Sequence, residues 1–178
     1  SNGSLTVTGG YTYVSGPTNS ANGALDASPA TISGGVLIAA GSSGMAVTFD
    51  SSSDQCSLMY TYQSTQSAGT LITLTDANGN VIVSYAPDKE YQNVVISSPD
   101  MVSGSTYTLY SGGSVSNGTL SGGTQVTTIT LSGVSTTTGS SGGMTTGGFS
   151  DRQTQDDSQV PSDGTMPGGG QPGGGRRG

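Results

Sequence analysis

The sequence contains no histidine, no tryptophan and only one cysteine. Without histidine, Ser-His-Asp triads and histidine metal sites are excluded. Cys56 has no second cysteine, which excludes a disulfide within these residues. It also lacks the histidine partner that activates a nucleophilic thiol, and it lies in an alternating apolar run. We therefore interpret Cys56 as a packed thiol.

Basic residues are also scarce, with 4 Lys and Arg against 11 Asp and Glu and a net charge of −7. Nucleic acid is an unsuitable partner because phosphate binding needs clustered cations. Anionic membrane surfaces are disfavoured for the same reason. No run approaches the roughly 20 apolar residues of a membrane span, so membrane insertion is not expected. Divalent cations are compatible with this charge.

Glycine contributes 31 residues, whereas hydrophobic residues make up 30% and charged residues 8%. Ser, Thr, Gly and Asn favour tight turns and are poor helix formers. The composition predicts an all-β protein with almost no helix.

A twelve-residue phrase occurs twice, as LTVTGGYTYVSG at residues 5–16 and ATISGGVLIAAG at residues 30–41. The offset is 25 residues, which aligns Val7 with Ile32 and Tyr13 with Ile38. Each phrase consists of an alternating run, a Gly-Gly pair interpreted as a corner, and a second run. A unit that cannot bury its own apolar face must stack on a copy of itself. The repeat therefore predicts the last coils of a parallel β-helix at residues 1–45.

Residues 46–133 contain longer β runs without this period. We expect a β-hairpin-rich capping region there, because the last coil of a solenoid must be covered. Asn78-Gly79 between TLITLT and VIVSY predicts a hairpin. Residues 134–178 are rich in Gly, Ser and Pro and predict a disordered tail. The chain begins at Ser1 in mid-pattern, which we interpret as a fragment with earlier coils and any targeting signal upstream.

Four phrases together resemble one protein family. They are NGALD at 22–26, ISGGVLIAAGSSGMA at 32–46, AGTLITLTDANGNVI at 68–82, and YQNVVISSPDMVSGSTYTLYSGG at 91–113. They look like the C-terminal half of the bacterial carbohydrate-binding domain family first defined in cellulolytic clostridia. This resemblance implies a right-handed parallel β-helix, secreted or attached to the cell surface, that binds plant polysaccharides without known catalysis. It also implies calcium bound in the coils.

Calcium takes oxygen ligands, so the candidate metal residues are Asp26, Asn22 and Asn2. Asn22 and Asp26 share one turn-rich connection, and Asn2 occupies a similar corner position. The alternative is that Asn22 supports the turn and Asp26 caps a coil.

No residue is assigned to sugar contact from the sequence. Tyr11 and Tyr13 share a strand face, as do Tyr60 and Tyr62, and aromatic faces stack on sugar rings. Since Tyr13 aligns with Ile38 and Tyr11 with Val36, both positions are expected to point inward. Four further tyrosines are equally ambiguous: Tyr85, Tyr91, Tyr107 and Tyr110.

Carboxylate catalysis is not supported by the sequence. A glycosidase needs two carboxyl groups about 5–10 Å apart around the bond. Asp50 and Asp54 fall in a Ser-rich loop, and Asp88 and Glu90 flank Lys89, so all are interpreted as solvated charges. A lyase needs a basic residue at the sugar acid, and Lys89 is the only base before residue 150.

Together with these exclusions, the resemblance implies a non-enzymatic, extracellular or cell-surface protein that binds cell-wall polysaccharide such as cellulose or pectin, with structural calcium. The alternative is a structural or adhesive surface solenoid, attached through its upstream region. A third possibility is an enzyme whose catalytic coils are missing.

Overall fold

The computed structural model describes residues 3–140 and contains strands but no helix in that range. The all-β prediction is therefore confirmed. The strands are β1 Leu5–Ser15, β2 Ala30–Gly41, β3 Ser57–Gln66, β4 Ile72–Thr75, β5 Val81–Tyr85, β6 Tyr91–Ser97, β7 Thr106–Ser111, β8 Ser114–Ser116, β9 Thr119–Ser121, β10 Thr124–Thr130 and β11 Ser135–Gly139. Within residues 3–140 there is no helix long and apolar enough to cross a membrane.

The repeated phrase forms two neighbouring parallel strands, β1 and β2. Their register pairs Val7 with Ile32 and Tyr13 with Ile38, which confirms the 25-residue alignment. The Gly-Gly pair is not a corner between two runs, however. Each phrase is one continuous strand, and the β1–β2 register shifts between Val7 and Tyr11, next to glycines with positive φ, Gly10 at 82° and Gly35 at 89°. Glycine adopts this backbone without a steric penalty, so the strand continues through the irregularity.

The first sheet has the order β1-β2-β6-β3-β11. β1 is parallel to β2, and β3 is parallel to β11, whereas β6 is antiparallel to both of its neighbours. Strands from the predicted capping region therefore lie in the same sheet as the repeated phrase. β6 separates β2 from β3, so the parallel pairing of the repeated phrase ends at β2.

β11 lies inside the range predicted as a disordered tail, 134–178. It pairs with β3 from Ser135 to Gly139, and Thr136 is buried. The prediction is corrected for these residues, because hydroxyl side chains suit a half-buried edge strand when backbone pairing is available. Residues 141–178 lie outside the described part of the chain.

The second sheet has the order β10-β7-β4-β5, with every pair antiparallel. β4 and β5 form the hairpin predicted from Asn78-Gly79, so that prediction is confirmed. Asp76 stabilises its turn by accepting hydrogen bonds from the backbone N–H groups of Asn78 and Asn80. β8 and β9 form a separate short hairpin.

The core has two parts, one on each face of the first sheet. Ile38 and Ala40 pack with the second sheet, while Leu37 and Ala39 face the opposite side with Phe49. Alternation along a strand places these neighbours on opposite faces. The continuous apolar run at residues 36–40 therefore reflects a strand buried on both sides.

Candidate functional site

The largest exposed aromatic side chains in residues 3–140 lie on β1. Tyr11 is 77% exposed and Tyr13 is 49% exposed. The predicted register was correct, but the inward position predicted for both residues was wrong. Their partners on β2 are covered by the second sheet: Ile38 is fully buried and Val36 packs against the same core. The second sheet does not cover Tyr11, so β1 projects beyond the edge of that sheet.

The edge strand of the second sheet contributes a third tyrosine. Tyr85 lies on β5, and its ring centroid is 5.3 Å from that of Tyr13, with the ring planes tilted by 36°. Tyr85 is partly buried against the core, which fixes its position. Tyr11, Tyr13 and Tyr85 define what we call the tyrosine ledge. The sequence did not pair Tyr85 with Tyr13, because the contact joins two sheets and residues far apart in the chain.

The ledge carries hydroxyl and aromatic groups but no formal charge. β1 contains no charged residue from Leu5 to Ser15. Beyond Tyr13, the Ser15 hydroxyl accepts a hydrogen bond from the backbone N–H of Lys89 at 3.2 Å. This bond holds the loop between β5 and β6 against the end of β1. Lys89 and its flanking carboxylates, Asp88 and Glu90, are exposed there, in agreement with their interpretation as solvated charges.

A small polar cleft of about 80 Å³ lies where the same loop enters β6. Its lining residues are rich in hydroxyl groups: Thr18, Ser20, Ser42, Ser43, Thr65, Glu90, Tyr91 and Gln92. The Ser43 hydroxyl donates to the Gln92 side-chain oxygen at 3.1 Å, and the Gln92 amide donates to the Tyr62 carbonyl. Such groups can exchange hydrogen bonds with sugar hydroxyls.

Four other tyrosines pack within or against the core: Tyr60, Tyr62, Tyr91 and Tyr107. Tyr62 packs edge-to-face against Tyr60, at 4.9 Å between centroids, and against Tyr91, at 5.6 Å. Burial raises the pKa of Tyr62 far above its ordinary value and raises the pKa of Tyr91 to about 12. The Tyr107 hydroxyl donates to the Asp100 carbonyl and accepts from the Val102 N–H. These rings belong to the core or pack against it.

Two of the three predicted metal residues, Asn22 and Asp26, lie on the connection between β1 and β2. The side chains of Asn22 and Asp26 are exposed, and Asn2 lies outside the described range. Residues 3–140 contain no group of three or more acidic or thiol side chains suited to a metal. Calcium in proteins takes about 6–8 oxygen ligands, and Asp26 is the only carboxylate of its connection.

Asp50 has a structural role that the sequence did not reveal. Its Oδ2 accepts a hydrogen bond from the Ala30 N–H at 3.2 Å, and its own N–H donates to the Ala30 carbonyl. The Ser53 hydroxyl similarly accepts from the Ile32 N–H. This loop therefore satisfies the backbone at the start of β2. Cys56 is unpaired and packs against the core, as predicted.

No family model, no curated protein and no solved structure matches the chain. Any assignment of function must therefore come from the chemistry of the tyrosine ledge and the polar cleft.

Proposed function

We propose that this chain binds extracellular polysaccharide without catalysis, and that the sugar rings lie on the tyrosine ledge. The observation that carries the proposal is the exposure of Tyr11 and Tyr13 beside a fixed Tyr85. Neighbouring exposed aromatic side chains that form one contiguous patch are typical of interaction sites. Aromatic faces stack on the apolar faces of pyranose rings, while neighbouring hydroxyl groups bind the sugar hydroxyls.

Charge favours a neutral glycan of the cellulose type over a pectic one. The floor of the ledge is uncharged, and two of the three charges on the adjoining loop are the carboxylates Asp88 and Glu90. A polyanionic chain that extended from the ledge towards the cleft would meet like charge, which lowers affinity. We therefore place cellulose-like chains first and pectin second among the plant cell-wall partners.

The fold that we propose is a short parallel β-helix whose coils are β1 and β2 with their following connections. The parallel register of β1 and β2 supports it, as does the stacking of the connections: a methyl group at Gly44 or Gly23 would collide with the backbone of Ser20 or Met45. We further propose an extracellular or cell-surface location, where such a polysaccharide is accessible, with calcium as a stabiliser of the coils.

Retention on insoluble polysaccharide tests this function. We expect the intact chain to be retained on cellulose and to release no reducing or unsaturated ends. The double variant Tyr11→Ala/Tyr13→Ala should lose at least about tenfold in affinity, whereas Tyr11→Phe/Tyr13→Phe, which keeps the stacking faces, should be retained. Met45→Ala removes another exposed apolar side chain and is the matched control.

The second candidate function is a structural or adhesive surface protein. It is favoured by the outer edge of β1, which pairs with no other strand of residues 3–140 and suits contact with other protein strands. Folded protein that no polysaccharide retains would favour this candidate. Release of sugar ends would favour an enzyme.

A further inference from the structure

The two Gly-Gly pairs of the repeat are stacked directly on one another. A Cβ at Gly34 would lie 2.7 Å from the Thr8 carbonyl oxygen, and one at Gly35 would lie 2.5 Å from the Gly9 carbonyl carbon. Carbon atoms of side chains do not approach backbone this closely. Gly34 is therefore required by the presence of β1 at the edge of β2, whereas the positive φ of Gly35 favours glycine in any case.

Gly9 is the counterpart of Gly34, but nothing in the described residues requires it. A Cβ at Gly9 would meet no atom within 4 Å, and its φ is not positive. Gly10 differs, because its φ of 82° accounts for glycine without any neighbour. Gly34 is required because a neighbouring strand lies against it. Gly9 has the same explanation if another strand lies against the outer edge of β1.

The apolar side chains of β1 indicate the same missing neighbour. Leu5, Val7 and Val14 are only partly buried against the core. Their partners on β2, Ala30, Ile32 and Ala39, are fully covered. The step from partial to complete burial is the change that one added coil produces in a stacked repeat.

Among residues 3–140, the two edge strands of the first sheet are also unequal. β1 offers eleven residues without a charge or a proline, which are the usual protections of a free edge. β11, at the opposite edge, has five residues and consists of Ser, Thr and Gly. One edge is short and polar, whereas the other is long and unprotected.

We propose that the outer edge of β1 binds one further parallel β-strand that carries the same Gly-Gly phrase. The occupant is a strand of the kind formed by β1 and β2, in the register in which β1 lies against β2. Pairing between the β1 edges of two copies is antiparallel in a symmetric dimer and does not reproduce the register that accounts for Gly9. The inference does not depend on sugar binding. Side chains stand perpendicular to a sheet, so an added strand leaves the faces of Tyr11 and Tyr13 open.

Hydrogen exchange on the intact chain tests the proposal, with a synthetic peptide of residues 5–16 as the probe. We expect the peptide to slow exchange of the β1 amides that point away from β2, and not of amides in β11. Gly9→Ala should weaken the peptide at least about tenfold, because its methyl group would meet the added strand. Gly133→Ala is the matched control, since Gly133 also lies in open space without a positive φ.

In a second variant the added strand is part of the same chain, so its pairing carries no entropic cost of binding a separate peptide. An extra copy of residues 5–29 inserted before Leu5 should raise the melting temperature. Gly9→Ala should then lower that temperature in the extended chain and leave it unchanged in the original chain. The proposal is overturned if the extra coil gives no stabilisation and the peptide no protection. Equal peptide protection of the original chain and its Gly9→Ala variant would also overturn it.

Discussion

At the scale of single residues, tyrosine serves two purposes in this chain. Tyr62 and Tyr91 are buried and pack edge-to-face, whereas Tyr11 and Tyr13 are exposed on an edge strand. Alternation in the sequence places Tyr60 with Tyr62, and Tyr11 with Tyr13, on a common strand face, but it does not tell whether a second sheet covers that face. For Tyr11 and Tyr13, the aliphatic partners on β2 suggested burial. Both tyrosines are exposed because the second sheet does not extend over them.

The buried tyrosines make the protein sensitive to high pH. Burial raises the pKa of Tyr91 to about 12 and that of Tyr62 further, so the unfolded chain, near pH 10, loses these protons first. Their contribution to stability is complete below pH 10 and is lost as pH rises through the folded pKa. Urea unfolding from pH 8 to 12 should show this decline. Tyr62→Phe should reduce it, and an unchanged profile in that variant would contradict the assignment.

The close contact between the Gly-Gly pairs of β1 and β2 predicts that two alanine substitutions differ in their effect on the free energy of unfolding. Gly34→Ala forces a methyl group against the Thr8 carbonyl, and such overpacking should lower the free energy of unfolding by about 1–3 kcal/mol. Gly133→Ala places the same methyl group in open space and should change it by less than about 0.5 kcal/mol. Equilibrium denaturation of both variants measures the difference. Equal effects would argue against the β1–β2 register.

At the scale of elements, β6 holds the first sheet together. It lies between β2 and β3, and Ile96 faces the second sheet while Val95 faces the connections. β6 therefore contributes to both parts of the core. Its antiparallel insertion was not predicted, because a short apolar run gives no information about the direction of its partners.

Truncation of β6 should therefore be costly. Ile96→Ala removes a fully buried side chain and should lower the free energy of unfolding by about 2–5 kcal/mol. Val102→Ala, at an exposed position, is the control and should stay within about 0.5 kcal/mol of the original. Chemical denaturation checks both values. A small effect at Ile96 would mean that the two sheets do not share one core.

Local signals and long-range contacts explain how much the sequence could predict. The repeat register and the Asn78-Gly79 hairpin were predictable, because each depends on residues close in the chain or on direct self-similarity. The contact of Tyr13 with Tyr85, the role of Asp50 and the pairing of β11 with β3 were not predicted. Each joins distant segments, and β11 in addition has no hydrophobic pattern.

At the scale of the whole molecule, the number of carboxylates limits how tightly calcium can bind. The connection that contains Asn22 and Asp26 supplies one carboxylate, so residues 3–140 should bind calcium only weakly, at roughly millimolar concentration. We expect a small rise in melting temperature at such concentrations, lost in Asp26→Asn and kept in Asp88→Asn. Micromolar binding, or an effect that survives Asp26→Asn, would contradict this prediction.

Affinity electrophoresis tests whether the tyrosine ledge binds polysaccharide. The intact chain, Tyr11→Ala/Tyr13→Ala and Met45→Ala would be run through gels that contain soluble neutral or pectic polysaccharides, with calcium and with chelator. We expect a neutral glycan to retard the intact chain and Met45→Ala but not Tyr11→Ala/Tyr13→Ala. The retardation should persist when a chelator removes calcium. Equal retardation of all three proteins, or none from folded protein with any glycan, would contradict binding at the ledge.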